Sequence, residues 1–281
     1  MLRFAANLTM MFNEWPFLDR FDAAADAGFE AVEYLFPYDF PPDAIAARLE
    51  RNHLAQALFN LPPGDWAAGE RGLAALSGRL KEVQKSVETG LAYAAATGVK
   101  RLHLMSGIAD RRDAESVEAY RKAVVWSAEK LGRSGVDLLL EPINARNMPG
   151  YFLNDFAFAE SLIRDLGLPN VKLQFDVYHR QIMQGDVTMA LRTLMPIIGY
   201  IQIASVPSRH EPHEEELNYP FLFEEIERLR YDGFIGCEYV PRQGTLEGLG
   251  WFAPYAAKSA HPRGHWRAAV ADGLDPSREG T

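Results

Sequence analysis

Short, β-rich apolar runs alternate with longer amphipathic stretches along nearly all of this 281-residue chain, and that rhythm leaves few architectures open. The pattern predicts strands at Arg3–Leu8, Ala31–Leu35, Leu54–Phe59, Arg101–Met105, Val136–Leu140, Val171–Phe175, Tyr200–Ile203 and Phe234–Cys237. Between and after them it predicts helices at Phe17–Ala27, Asp43–Asn52, Leu80–Thr97, Ala114–Arg133, Asp155–Leu166, Val187–Met195, Phe221–Arg230 and Leu246–Lys258. Glycines 28, 98 and 167 stand just past three of these stretches, where a left-handed residue closes a helix. Eight βα units point to an α/β fold of the (β/α)₈ TIM-barrel type. An open doubly wound sheet also alternates, but the first βα turn, Asn7–Asn13, lacks the glycine fingerprint of a dinucleotide site. No linker-like composition interrupts the rhythm, so residues 1–258 read as one barrel domain and residues 259–281 as a C-terminal tail without an assigned role.

Composition narrows the function classes. Hydrophobic residues make up 48% of the chain and charged residues 24%, enough for a large buried core. The net charge is −9, against the clustered Lys and Arg from which nucleic-acid binding draws its affinity. A single cysteine, Cys237, excludes an internal disulfide framework and a cysteine-based zinc site. On the alternation of strand eight, Cys237 points away from the barrel axis and is structural. No apolar run approaches the roughly 18 residues of a membrane span. The N-terminal residues turn polar too early for a secretory leader. The expected setting is cytoplasmic, with a small-molecule substrate and neither nucleic acid nor membrane as partner.

In a barrel of this type the active site forms at the C-terminal ends of the strands. Strand five runs into Glu141, strand six into Asp176, strand seven carries Gln202, and strand eight runs into Glu238. Any one acidic residue after a strand is more often a helix cap than a ligand. Four oxygen-bearing side chains on consecutive strands are harder to assign to separate structural causes. Such a set suits a hard divalent cation, Mg²⁺ or Mn²⁺. Glu141 and Glu238 are also placed to face one another across a bound substrate, as a 1,2-proton transfer requires.

Several longer motifs carry a resemblance. Asn7-Leu8-Thr9-Met10-Met11-Phe12, the stretch from Asn60 through Gly64-Asp65-Trp66-Ala67-Ala68-Gly69-Glu70-Arg71-Gly72, Glu141-Pro142-Ile143-Asn144 and Asp176-Val177-Tyr178-His179 resemble the hydroxypyruvate isomerase family. So do Gly236-Cys237-Glu238-Tyr239 and Gly248-Leu249-Gly250-Trp251, and the likeness runs over residues 1–255. That family is one of the xylose-isomerase-like barrels, which include ketose 3-epimerases and an endonuclease branch. The resemblance implies one divalent metal held by Glu141, Asp176, Gln202 and Glu238, with Glu141 and Glu238 as the acid/base pair. It implies conversion of hydroxypyruvate to tartronate semialdehyde, or the related isomerisation of a four-carbon 2-oxo-tetronate. The 3-epimerases usually carry His where this chain has Gln202, which favours the oxo-acid branch. Related barrels associate, and a homo-oligomer is compatible with the chain.

By the same resemblance His179, in the loop after strand six, hydrogen-bonds a substrate oxygen or helps the proton transfer. Arg71 and Arg209 are candidates to clamp a substrate carboxylate, because guanidinium matches a carboxylate bidentately. Glu70 is placed to brace Arg71, Trp66 and Phe12 either wall the pocket or pack in the core, and His103 ends strand four near the mouth. The charged run from Arg209 to Glu216 reads as a solvated loop able to fold over the mouth. An endonuclease of this fold calls for additional histidines and a basic face, and seven scattered histidines in an acidic chain do not supply them. A sugar-acid-binding barrel without turnover is the non-enzymatic alternative, and the intact Glu141/Glu238 pair counts against it.

Overall fold

A computed structural model describes residues 2–213 and 215–256 of the chain. Eight parallel strands close into a barrel in sequence order: β1 (Arg3–Asn7), β2 (Ala31–Tyr34), β3 (Ala55–Asn60), β4 (Arg101–His103), β5 (Asp137–Leu140), β6 (Val171–Asp176), β7 (Ile198–Ile203) and β8 (Phe234–Cys237). Closure is made by β1 against β8, in the register Arg3↔Phe234 to Ala6↔Cys237. The outer layer is α1 (Arg20–Asp26), α2 (Pro42–Asn52), α3 (Leu80–Thr97), α4 (Ala114–Gly132), α5 (Phe156–Leu166), α6 (Val177–Met183), α7 (Val187–Leu194) and α8 (Tyr219–Arg228). The predicted tail, residues 259–281, lies outside the described residues.

Alternation along each strand divides the core into two layers. Phe4, Val32, Phe59, Leu102, Leu138, Leu140, Phe175, Ile201, Ile203 and Ile235 face the helices and join the large outer cluster. Cys237 belongs to that cluster, in line with its expected outward direction. Inside the barrel, small Ala5, Ala31 and Ala57 on β1 to β3 share a layer with Leu58, Leu139 and Tyr200. Small residues on one arc make room for the large Leu139 and Tyr200 on the other, which fills the barrel instead of leaving a pore. Fully burying one such large side chain is worth about 1.5–3 kcal/mol.

Two elements differ from the sequence expectation. The last predicted helix is a 3-10 segment over Glu247–Phe252, because Gly248 and Gly250 interrupt its apolar pattern. It still covers the barrel, with Trp251 packed edge-on against Phe4 at 5.3 Å. The second difference is α6, which begins directly at the end of β6 with Asp176 as its N-cap. With no connecting loop between strand and helix, the sequence offers no break to mark it.

Candidate active site

The last inward-facing position of every strand is polar and buried. Going round the barrel these side chains are Asn7, Glu33, Asn60, His103, Glu141, Asp176, Gln202 and Glu238, none more than 6% exposed. They form a ring of polar side chains above the apolar layer, joined by hydrogen bonds along parts of its circumference. Asn7 Nδ2 donates to Glu33 Oε1 at 2.9 Å, and Gln202 Nε2 donates to the same oxygen at 3.0 Å. Gln202 Oε1 in turn accepts from Gln174 Nε2 at 2.6 Å. On the opposite arc, His103 Nδ1 lies 3.2 Å from Asn60 Oδ1 and 3.5 Å from Glu141 Oε2.

The reactive part of the ring is the arc from Glu141 to Glu238. Asp176 Oδ1 caps α6 by accepting from the backbone of Tyr178 at 2.7 Å and of His179 at 3.3 Å. The cap also places His179 in the first turn of α6, and not in a loop as the sequence reading had it. Its Nε2 stands 3.8 Å from Glu141 Oε1 and 3.6 Å from Asp176 Oδ2. Arg209 has a left-handed backbone, with φ of 57°. Its guanidinium reaches in to 2.9 Å from Glu238 Oε2 and 3.8 Å from Asp176 Oδ2, over the Tyr178 ring.

These donors fit a cation. Glu141 and Asp176 each bring a carboxylate oxygen to within 4.8 Å of the other, with a His179 ring nitrogen equally near. Glu141 Oε1 and Asp176 Oδ2 are buried without a hydrogen-bond donor among the described residues, and such oxygens are costly unless a cation or substrate takes them up. Gln202 stands beside Asp176 in the β6–β7 ladder, with one lone pair of its amide oxygen beyond that used by Gln174.

Burial dominates the electrostatics. It pushes Glu33 up to about 7 and Glu238 up to about 8, the latter against the opposing pull of Arg209. Glu141 is held well above the usual carboxylate range by burial first and by the charge of Glu238 second. Burial lowers His103 to about 3 and His179 to about 4, so both imidazoles are neutral near pH 7. A buried site with several carboxylates and neutral imidazoles can take up and return a proton near neutrality.

Of the residues singled out from sequence, Glu141, Asp176, Gln202, Glu238, His179 and Arg209 come together here. Arg71 does not join them. It stacks on Trp66 at 3.9 Å and donates to the carbonyls of Trp66 and Glu70 at 3.0 and 2.8 Å. The Glu70 carboxylate braces Arg79 and the Asp65 backbone instead of the Arg71 side chain. Phe12 is fully buried against Trp15 and Phe29, so it packs in the core. In the Arg209–Glu216 run, Glu211 is buried and accepts from the Arg242 backbone at 3.1 Å, and His210 Nδ1 lies 2.7 Å from the Val240 carbonyl. The run is therefore fastened to the segment after β8 and is not simply solvated; Glu214 lies outside the described residues. Asn7, Glu33 and Asn60 went unassigned in the sequence, although each occupies the same strand-end position that marked the other ring members.

Comparison with known proteins agrees with the barrel fold. The profile of the family described as xylose isomerase-like TIM barrel matches residues 21–255. A 2-oxo-tetronate isomerase of Cupriavidus necator is 52% identical over 260 residues, covering 92% of this chain and 100% of the relative. The hydroxypyruvate isomerase of Escherichia coli is 42% identical, covering 91% and 100%. A crystal structure from Brucella melitensis, described as an AP endonuclease of family 2, is 52% identical with a TM-score of 0.89, covering 91% of this chain and 100% of that one. The chain belongs to the hydroxypyruvate isomerase family of xylose isomerase-like TIM barrels.

Proposed function

We propose that this protein isomerises a short 2-oxo-3-hydroxy acid to the 2-hydroxy-3-oxo acid by moving a proton from C3 to C2 through an enediolate. The substrate is hydroxypyruvate, giving tartronate semialdehyde, or its four-carbon homologue 2-oxo-tetronate. The observation that carries the reading is the pair Glu141 and Glu238, both buried at the mouth and both held above the usual carboxylate range. With both carboxylates raised by burial, one member can serve as the base for C3 while the other is the acid for C2.

Glu141, Asp176, Gln202 and Glu238 are the residues that would hold Mg²⁺ or Mn²⁺, which when bound supplies Lewis acidity toward the substrate oxygens. The chain's own groups do the rest. Arg209 is positioned to exchange its contacts with Glu238 and Asp176 for the substrate carboxylate. His179 presents Nε2 between Glu141 and Asp176, where a substrate oxygen can meet it. The low exposure of the ring keeps bulk water from the reacting carbons. Arg71, stacked on Trp66, is not part of the reacting set in this reading. A cytoplasmic setting is part of the proposal, supported by the lone buried thiol of Cys237.

The description of the Brucella relative points to DNA instead. Against that, the net charge of −9 opposes binding to a phosphate backbone, and within the ring itself the one histidine, His103, is turned toward Asn60 and Glu141. The test is to supply purified protein with hydroxypyruvate and, separately, with 2-oxo-tetronate, in Mg²⁺ or Mn²⁺, and to follow the products by ¹³C NMR. Formation of the 2-hydroxy-3-oxo acid from either substrate supports the proposal. A folded, metal-supplied protein that converts neither overturns it.

A further inference from the structure

The imidazole between the two free carboxylate oxygens has its tautomer set from outside the reactive arc, and we infer that Asn144 sets it, making His179 a hydrogen-bond donor and not a metal ligand. The consequence for turnover rests on the isomerase reading above; the tautomer itself does not.

The orientation of Asn144 is fixed first. Its Oδ1 accepts the backbone N–H of Asn147 at 2.9 Å, which leaves Nδ2 as the end that faces His179 Nδ1 at 2.6 Å. The backbone N–H of Asn144 is directed at the same ring nitrogen, 3.4 Å away. Two donors on Nδ1 make it the lone-pair side of the ring, so the proton of the neutral imidazole sits on Nε2. Nε2 is the nitrogen between Glu141 Oε1 and Asp176 Oδ2. A ring nitrogen that keeps its proton cannot ligate a metal, but it can donate to an oxygen on the substrate.

The surroundings hold this arrangement rigid. Asn144 is fully buried, three residues beyond Glu141 in the turn that leaves β5. Ile143 donates its backbone N–H to the Leu153 carbonyl at 2.9 Å, and the Tyr178 hydroxyl donates to Asn147 Oδ1 at 3.0 Å. The β5 turn therefore grips the first turn of α6, and a shift of Asn144 moves the His179 ring relative to Glu141. Asn144 is a positioning residue: it acts on the substrate only through His179.

The test is ¹H–¹⁵N NMR of the full-length protein with ¹⁵N-labelled histidine, His179 being assigned with a His179→Gln variant. The wild type is expected to show the Nε2–H tautomer, and to keep it when Mg²⁺ is added. Asn144→Asp, whose carboxylate can only accept, is expected to move the ring to the Nδ1–H form. With an unchanged circular-dichroism melt, kcat should then fall about 10–100-fold. An Nδ1–H ring in the wild type, or loss of the Nε2 proton on Mg²⁺ binding, overturns the inference whether or not the variant folds. So does an Asn144→Asp protein with wild-type tautomer and turnover. An Nε2–H ring in a protein that isomerises neither acid sinks the isomerase reading while leaving the tautomer assignment standing.

Discussion

Asp176 shows how a bland and a chemical role coexist on one side chain. A strand-end aspartate is most often a helix cap, and Asp176 is one, through Oδ1 to the backbone of Tyr178 and His179. Its other oxygen accepts no hydrogen bond among the described residues and faces the site, near Arg209 and His179. Glu238 is likewise divided between a contact with Arg209 and a protonation state held up by burial. Replacing Glu238 with Gln keeps the size and removes the titrating group. We expect the variant to fold with a wild-type circular-dichroism spectrum and to lose turnover on the order of 10³-fold. Steady-state rates near wild type would remove Glu238 from the proton transfer. Glu141, Asp176, Gln202 and Glu238 were legible because oxygen ligands recur at the ends of four consecutive strands. Glu33 was not: its partner Gln202 is 169 residues away, and Asn7 and Asn60 are of a type common in any turn. The tautomer of His179 was also out of reach, since it depends on where one amide of the β5 turn points.

Elements place these residues through the two-residue period of the strands. β8 supplies the sharpest case. Its outward residues are Ile235 and Cys237, and its inward ones are Gly236 and, just beyond the strand, Glu238. Gly236 leaves room for the Glu33 carboxylate, since a Cβ there would lie 2.3 Å from Glu33 Oε2. Gly236→Ala should therefore displace Glu33, and with it the hydrogen bond that holds Gln202. We expect Mn²⁺ affinity, read by electron paramagnetic resonance without substrate, to fall about 10–100-fold while the barrel stays folded. Unchanged affinity would mean that Glu33 does not position Gln202 for the metal. The barrel rhythm itself was readable, and most helix ends fell within two residues of those found. What escaped was α6, because a helix capped by the last residue of a strand leaves no turn signal in the sequence.

At the scale of the whole molecule, the ring gathers Glu33, Glu141, Asp176 and Glu238 in a buried mouth, which has consequences for stability. Carboxylates whose folded pKa lies above the unfolded value stabilise the fold while protonated, and that contribution is lost as pH rises through the folded value. Glu33 at about 7 and Glu238 at about 8, with Glu141 also raised, therefore weaken the metal-free fold as pH climbs toward 8. His103 and His179, lowered to about 3 and 4, act in the opposite sense and only on the acid side of their usual value near 6.5. Between about pH 6.5 and 8 the carboxylates alone remain. Calorimetry of the metal-free protein should show Tm falling by roughly 5 °C or more across that window. Adding Mg²⁺ or Mn²⁺ at pH 8 should restore much of the loss; a flat profile would show that the mouth is less strained by its own charge than the burial implies. Proton transfer between the two glutamates is measured directly by isomerisation of hydroxypyruvate in D₂O, followed by ¹H NMR with a protein-free control. The expected product is tartronate semialdehyde that carries solvent deuterium at C2. Conversion with the original proton fully retained at C2 would contradict the exchange of a proton through Glu141 and Glu238.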